Sequence, residues 1–325
     1  MPTTQPGTST EADNTEAFPR IRLGVSACLL GEPVRYDGGH KHHAFLTDTL
    51  AAYADYLPFC PETAIGLGVP RPPIHLVGDP TNPRALGVQD PSLDVTEPLK
   101  RYATAMQTAL ATVSGVIFKK YSPSCGLRLA ENNATGIFAQ SVRQALPLLP
   151  LEEEDALDNP RRLENFLTRV YVFRRWQDLC ATDMSVAALL DFHAVHKYLV
   201  MGHSQAAYRH LGQLLSNLSK LSLEDTANAY IPALMSLLKR PGRRPQHFNV
   251  LQHLAGYLKP HLDHEQMSRL GAQLEAYRQG SLPLIEAMTS LKVHFERFPH
   301  PFIHRQVYLR PYPHSLSLHI STIKY

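Results

Sequence analysis

Three short apolar segments in the first half of the chain constrain its fold more than any other feature. They cover residues 21–26, 56–59 and 115–119, and each runs into a turn. Such segments, rich in apolar or β-branched residues, are typical of buried strands. A helix is predicted to start near Thr96, between the second and third segments, because threonine can cap a helix and Pro98 suits its first turn. Strands that alternate with helices predict an α/β domain with an open, mostly parallel sheet.

A cysteine follows each of the three predicted strands, namely Cys28, Cys60 and Cys125. Because the carboxyl ends of parallel strands lie at one edge of a sheet, the three thiols could meet in space. Three thiolates can hold three irons of a [4Fe–4S] cluster, or a zinc ion that keeps one open position. Any one of these cysteines taken alone could instead be a small buried residue. The fourth, Cys180, is expected to be an ordinary core residue near a helix end.

The second half of the chain has a different pattern. Residues 151–160 form an acidic connector, and a long amphipathic helix is predicted over 160–180. From about residue 184 the pattern is almost wholly helical, and Gly280 is predicted to end one of the helices. We therefore expect a disordered polar tail over 1–18, an α/β domain over 19–182 and an all-α domain over 183–325.

Composition and charge narrow the class of protein. The 325 residues carry a net charge of +3, contain no apolar run of membrane-spanning length and begin without an export signal. We expect a cytoplasmic protein with no membrane contact, whose four cysteines are free thiols or metal ligands. The charge suits a small anionic ligand but is too weak to predict a stable nucleic-acid complex. A homodimer is compatible with the sequence.

Motifs around the cysteines resemble the thiouracil desulfidase family. They read SACLLGEPVRYDGG from Ser26, CPETAIGLGVPRPP from Cys60 and KKYSPSCG from Lys119. In the second half, the segments DFHAVHKYLVMGHS, NVLQHLAGYLK and QVYLRPYP resemble a YbgA-like domain that is often fused to such desulfidases. The run AIGLGVPRP departs from the plainer Gly-Gly-Leu-Pro run that is usual in the family, which affects the expected fit of the substrate rather than the cluster.

The resemblance implies a non-redox desulfidase with a [4Fe–4S] cluster held by Cys28, Cys60 and Cys125. Such enzymes remove sulfur from thiolated pyrimidines such as thiouracil or 4-thiouridine monophosphate. A thiocarbonyl sulfur is soft and would bind the open iron, a Lewis acid, while water attacks the carbon and sulfide leaves.

Two residues near the cysteines are candidates for catalysis. Glu62, two residues after Cys60, is the best-placed carboxylate for moving the protons of water. Ser122 could donate a hydrogen bond to the water or the base. Each residue also has a structural explanation. A glutamate such as Glu62 is favoured in the first turn of a helix, and a serine such as Ser122 is favoured in a turn.

Five further residues are predicted to contact substrate, and they share a place in or beside the three motifs: Ser26, Arg35, Arg71, Lys119 and Ser124. The cations, together with Lys120, could pair with a nucleotide phosphate. Solvated surface charge is the alternative for each of them. His193, His196 and His203 lie on a predicted helix, where packing is favoured over a metal site.

Two other functions fit parts of the pattern. A cluster that carries sulfur for tRNA thiolation would usually need an ATP-activating loop, and the sequence has no stretch of that kind. A zinc-stabilised binding module would need four tight ligands, whereas only three thiols are predicted to converge.

Overall fold

The computed structural model describes residues 18–129, 134–182 and 184–322. The predicted polar tail thus lies outside the described residues except for Phe18. The ring of Phe18 packs edge-on against Tyr171, with 5.7 Å between the ring centres.

A four-stranded parallel sheet forms the centre of the first half. Its strands, in the order in which they lie side by side, are β2 (Ala54–Phe59), β1 (Ile21–Ser26), β5 (Gly115–Phe118) and β6 (Leu151–Glu153). Ser26 lies beside Phe59, and Phe118 lies beside Glu153, so the four strands end at nearly the same level. The predicted parallel sheet is confirmed.

Two parts of this half differ from the prediction. The segment interpreted as an acidic connector begins with β6, whose three residues are too few and too polar to show a strand pattern. Before the helix that starts at Thr96 lies an antiparallel hairpin of β3 (Ile74–Val77) and β4 (Arg84–Gly87), which sequence reasoning missed.

Helices cover both faces of the sheet. On one face, α2 (Thr96–Ala111) and α3 (Ile137–Ala145) pack against the side chains of Phe59, Val116 and Phe118. On the other face, α4 (Pro160–Ala181) packs against Leu23, Val25 and Ile117. Successive side chains of a strand point to opposite faces of the sheet, so the short strand β5 contributes side chains to the cores on both faces.

The start of α2 agrees with the prediction, but its cap does not. Thr96 is the first helical residue, and the carboxylate of Asp94 accepts the Thr96 backbone N–H at 3.0 Å. Thr96 Oγ1 instead accepts the backbone N–H of Ala85 at 2.8 Å and so ties the helix to β4.

The second half is helical, as predicted. Its helices are α5 (Val186–His203), α6 (Gln205–Ser216), α7 (Leu223–Leu238), α8 (Arg244–Gly256), α9 (His264–Gln279), α10 (Leu284–Arg297), α11 (Pro301–His304) and α12 (His314–Thr322). Gly280 ends α9 with a φ of +92°, a conformation that glycine adopts without strain. Within the described ranges, no helix is both long and apolar enough to cross a bilayer.

Helix α4 belongs to both halves of the molecule. Its residues Leu163 and Phe166 lie in the core beneath the sheet, whereas Val172 and Trp176 lie in the core of the helical region. The end of the chain also returns to the sheet, where Leu316 of α12 is buried in the same core as Leu163. The two halves are therefore joined by packing as well as by the chain.

Candidate active site

The carboxyl ends of the four parallel strands define the candidate site. Cys28 lies in the helical turn after β1, Cys60 directly after β2, Cys125 in the turn after β5, and Glu154 directly after β6. Because all four strands run in one direction, these residues lie at one edge of the sheet.

The three predicted cysteine ligands lie near enough to one another for their charges to interact. Cys28 and Cys125 are buried, Cys60 is half-buried, and all three are free thiols. Burial, and then the neighbouring charge of Cys60, raises the pKa of Cys28 to about 11. The same two causes, in the same order, raise the pKa of Cys125 well above its ordinary value. In the part of the chain that the structure describes, no three His, Cys, Asp or Glu side chains form a group that could hold a single metal ion.

Glu62 connects the loops that follow β2 and β5. It lies in the first turn of α1 (Pro61–Ala64), and its side chain is only 12% exposed. One carboxylate oxygen accepts the Arg71 Nε–H at 2.9 Å, and the other accepts the Ser124 hydroxyl at 2.5 Å. The Ser122 hydroxyl lies 3.5 Å from this second oxygen. The carboxylate is thereby held beside the turn that carries Cys125.

Arg71 is bound on several sides by the protein itself. In addition to Glu62, its guanidinium donates to the carbonyls of Val34 and Gly68, at 3.0 and 2.9 Å, and its side chain is 3% exposed. A buried guanidinium with these partners is suited to orient Glu62 and is poorly placed to meet a substrate phosphate.

The serines of the SPSC turn shape the turn around Cys125. The backbone N–H groups of Ser124 and Cys125 donate to the Ser122 hydroxyl oxygen at 3.3 and 3.2 Å. Tyr121, just before this turn, has a φ of +60°, which is uncommon for a residue with a side chain. Ser26 accepts the Lys119 backbone N–H at 3.0 Å and hydrogen-bonds the Cys125 thiol.

The two lysines before the turn pair with the acidic segment after β6. Lys119 forms an ion pair with Glu154, and Lys120 forms one with Asp155 at 2.9 Å. The backbone N–H of Lys120 also donates to Glu154 at 2.5 Å. Sequence reasoning missed Glu154 because nothing in an acidic run shows that a strand ends immediately before it.

Of the three predicted substrate-binding cations, Arg35 has the weakest pairing within the protein. Its Nε lies 3.5 Å from an Asp37 carboxylate oxygen and donates no hydrogen bond to a described residue. The side chain is 21% exposed, and its positive charge acts on the nearby Cys28 thiol. Asp37 also accepts the Gly39 backbone N–H at 3.0 Å, as expected for a turn.

Cys180 and the three helix histidines lie away from the cysteine site. Cys180 is exposed at the end of α4, so the prediction that it is a core residue is wrong. His196 is buried in the helical region, where burial lowers its pKa to about 3. His193 and His203 hydrogen-bond Tyr230 and the Leu199 carbonyl, at 3.1 and 2.9 Å, and so contribute to helix packing.

Comparison with known proteins divides the chain in the same way as the structure. Residues 23–154 match the model of the 2-thiouracil desulfurase family, and residues 197–313 match DUF1722, a family of unknown function. Two separate segments of the chain are therefore similar to two different families. The segment that matches the 2-thiouracil desulfurase family contains all three cysteines of the site, together with Glu62 and Glu154.

Two individual proteins are similar to parts of the chain. Over 161 residues, this chain is 29% identical to the uncharacterized protein YbgA of Escherichia coli (strain K12). The match covers 49% of this chain and 95% of YbgA. A solved structure, the [4Fe-4S]-dependent thiouracil desulfidase TudS, is 35% identical. The match covers 42% of this chain and 93% of the TudS chain, with a TM-score of 0.36.

Proposed function

We propose that this protein is a desulfidase that removes the sulfur of a thiolated pyrimidine by hydrolysis, with a [4Fe–4S] cluster held by Cys28, Cys60 and Cys125. The proposal is carried by three free thiols that follow parallel strands, near enough for their charges to interact, in the segment that matches the 2-thiouracil desulfurase family. Free thiouracil and 4-thiouridine monophosphate are the candidate substrates.

The donor set fits such a cluster. Two of the thiols are buried, and burial opposes their ionisation. A bound metal supplies the positive charge that a buried thiolate lacks, so binding would favour the ionised form. Thiolates prefer soft metals, and iron–sulfur clusters are commonly held by cysteine thiolates alone. When bound, the cluster would supply an iron without a protein ligand, which acts as a Lewis acid toward a thiocarbonyl sulfur.

The chain's own residues would then manage the water and its protons. Glu62 would take a proton from the attacking water, because its carboxylate faces the turn that carries Cys125. Arg71 keeps that carboxylate oriented from the opposite side, and Ser122 and Ser124 orient it from the turn. Water replaces sulfur at the carbon, so the thiocarbonyl becomes a carbonyl and sulfide leaves without net oxidation or reduction.

An anaerobic assay tests this function directly. Cluster-loaded protein is incubated with thiouracil, 4-thiouridine and 4-thiouridine monophosphate, and released sulfide and the oxo product are measured together. We expect one sulfide for each oxo base formed, and incorporation of oxygen from labelled water. Loss of the thiocarbonyl without sulfide release, or only in the presence of an added electron donor, would contradict a hydrolytic desulfidase.

A further inference from the structure

A charged cavity of about 670 Å³ lies beside the candidate active site. It opens next to the loop that follows β5, with Lys120 and Tyr121 on its wall, and it extends to α3, α4 and the end of α7. Its position links the desulfurase domain to the DUF1722 domain, because Lys239 of the latter contributes to the lining.

Six cationic and three carboxylate side chains line this cavity. The cations are Lys120, Arg128, Arg143, Arg162, Arg169 and Lys239, and the carboxylates are Glu152, Glu153 and Asp155. An excess of positive charge in a concave site attracts anions such as phosphate.

Half of these cations are already neutralised within the protein. Arg162 and Arg169 pair with Glu152, at 2.8 and 3.0 Å, while Lys120 pairs with Asp155. Glu153 is also occupied, since it accepts the Leu127 backbone N–H at 2.7 Å.

The other three cations are Arg128, Arg143 and Lys239. Within residues 18–129, 134–182 and 184–322, no carboxylate pairs with Arg128, Arg143 or Lys239. They come from three separate elements: the loop after β5, the last turn of α3 and the residue after α7. Unpaired cations from three elements around one cavity are what a multidentate anion would bind.

The cavity lies to one side of the cysteines, along the edge strand β6. It lies on the β6 side of the sheet, and β6 is two strands away from β1, which is about 10 Å at the usual strand spacing. A nucleotide carries its phosphate away from the base, so a base held at the cysteines would direct its phosphate toward a neighbouring site of this kind. The cations first expected to bind phosphate are less suitable, because Arg71 and Lys119 pair with Glu62 and Glu154.

We propose that this cavity binds the phosphate of a thiolated nucleotide, with Arg128, Arg143 and Lys239 as its ligands. The proposal rests on the proposed desulfidase function for the identity of the base. It gives the DUF1722 domain a role in substrate selection, through Lys239. The phosphate could belong to a free nucleotide or to a strand, since both present the same anionic group.

Binding of the oxo product tests the proposal without any turnover. Uridine monophosphate and uridine are titrated by calorimetry into the protein, with and without its metal. We expect Arg128→Gln, Arg143→Gln and Lys239→Gln each to weaken binding of the monophosphate by about 3- to 10-fold, while uridine binding is unchanged. Arg143→Lys should restore part of the loss, because it keeps the charge.

A matched control is Arg101→Gln, which removes an exposed arginine of α2 that lies outside this cavity. It should bind both ligands as the unchanged protein does. Monophosphate binding that is unaffected by the three variants, or reduced equally by Arg101→Gln, would overturn the proposal.

Kinetics separate this proposal from the desulfidase function itself. The three variants should raise KM for 4-thiouridine monophosphate and leave turnover of 4-thiouridine unchanged. Absence of turnover on every substrate, with the binding result intact, would refute the desulfidase function and leave the phosphate site standing. Competition by uridine monophosphate and by a short oligouridine then distinguishes a free nucleotide from a strand.

Discussion

At the scale of single residues, the site depends on which polar groups are already paired within the protein. Arg71 and Lys119 were predicted to meet substrate, yet each forms an ion pair with a largely buried carboxylate. Breaking such a pair to bind a phosphate would leave that carboxylate uncompensated, which is costly in a dry environment. Ser26, Ser122 and Ser124 likewise have hydrogen-bond partners within the protein. We therefore propose that they stabilise the turn around Cys125 rather than bind a ligand.

The first prediction concerns the metal ligands. Cys28→Ser, Cys60→Ser and Cys125→Ser should each lose most of the bound iron, because three thiolates are the smallest set that holds the cluster with one open iron. Cys180→Ser, the matched control at an exposed position, should keep a full complement. Iron and acid-labile sulfide per chain are measured after anaerobic purification, and equal contents in all four variants would refute the assignment.

The second prediction concerns the proposed acid/base residue. Glu62→Gln keeps the shape of the side chain and an oxygen that can accept from Ser124, but it removes the group that takes a proton. We expect the iron content to stay near normal and the turnover number to fall by about 100-fold or more.

Glu97→Gln, in the first turn of α2, is the matched control, since Glu97 is exposed and pairs with Lys100 at the surface. Turnover is measured by sulfide release at equal iron content. A Glu62→Gln variant with full cluster and undiminished turnover would assign the proton transfer to another group.

At the scale of elements, one close approach fixes the turn that carries Cys125. The start of α3 packs so tightly against this turn that a Cβ atom on Gly136 would lie 2.5 Å from the carbonyl carbon and oxygen of Ser124. It would also lie 2.8 Å from the Cys125 backbone nitrogen. These are backbone atoms that cannot move aside without moving the cysteine, so Gly136 is required by space rather than by its own conformation.

The third prediction follows from this contact. Gly136→Ala should lower the free energy of unfolding by about 1–3 kcal/mol through overpacking, and it should also lower the iron content because Cys125 is displaced. Gly212→Ala in α6 is the matched control, since the added Cβ would lie within 4 Å of no atom outside its chain neighbours and the backbone of its own helix. That control should be neutral or stabilising by up to about 1 kcal/mol.

Urea unfolding and iron analysis of both glycine variants provide the measurement. If Gly136→Ala kept full iron and full stability, the contact between α3 and the turn would not determine the position of Cys125.

At the scale of the whole molecule, α4 and α12 join the half that contains the sheet to the helical half. A boundary near residue 183, as the sequence suggests, would leave Trp176 of α4 without the helices that bury it. It would also remove Leu316, which is fully buried beneath the sheet. A chain that ends near residue 183 would therefore expose apolar surface at both places, which disfavours an independently stable desulfurase domain.

The fourth prediction tests whether the two halves unfold together. Leu316→Ala should lower the free energy of unfolding by about 2–5 kcal/mol, because it leaves a cavity under the sheet. The effect should also reach the helical region, where the fluorescence of Trp176, the single tryptophan of the chain, reports unfolding. Val293→Ala, at a side chain that is 57% exposed, is the control and should change stability by less than about 0.5 kcal/mol.

Denaturant titrations followed by tryptophan fluorescence and by far-ultraviolet circular dichroism provide the comparison. Coincident shifts of both signals in Leu316→Ala would indicate one cooperative unit. An unchanged fluorescence transition would show that the two halves unfold independently.

The sequence by itself determined the class of the fold and the cysteine set. Apolar runs that end in turns identify strands β1, β2 and β5 locally, and each carries its cysteine at the end that a parallel sheet places on one edge. Helical periodicity in the second half is equally local. These features could be predicted because they depend on neighbours within a few residues of each other.

Only the tertiary structure decided how the charges near the cysteines are used. Glu154 pairs with Lys119 across 35 positions, and Arg128 and Arg143 line one cavity with Lys239, which lies more than 90 positions further along the chain. Ionic partners are chosen by distance in space and by burial, neither of which leaves a local pattern in the chain. For the same reason, neither β6 nor the contribution of α4 to two cores was predicted. A three-residue strand and a helix that bridges two cores are defined by what packs against them.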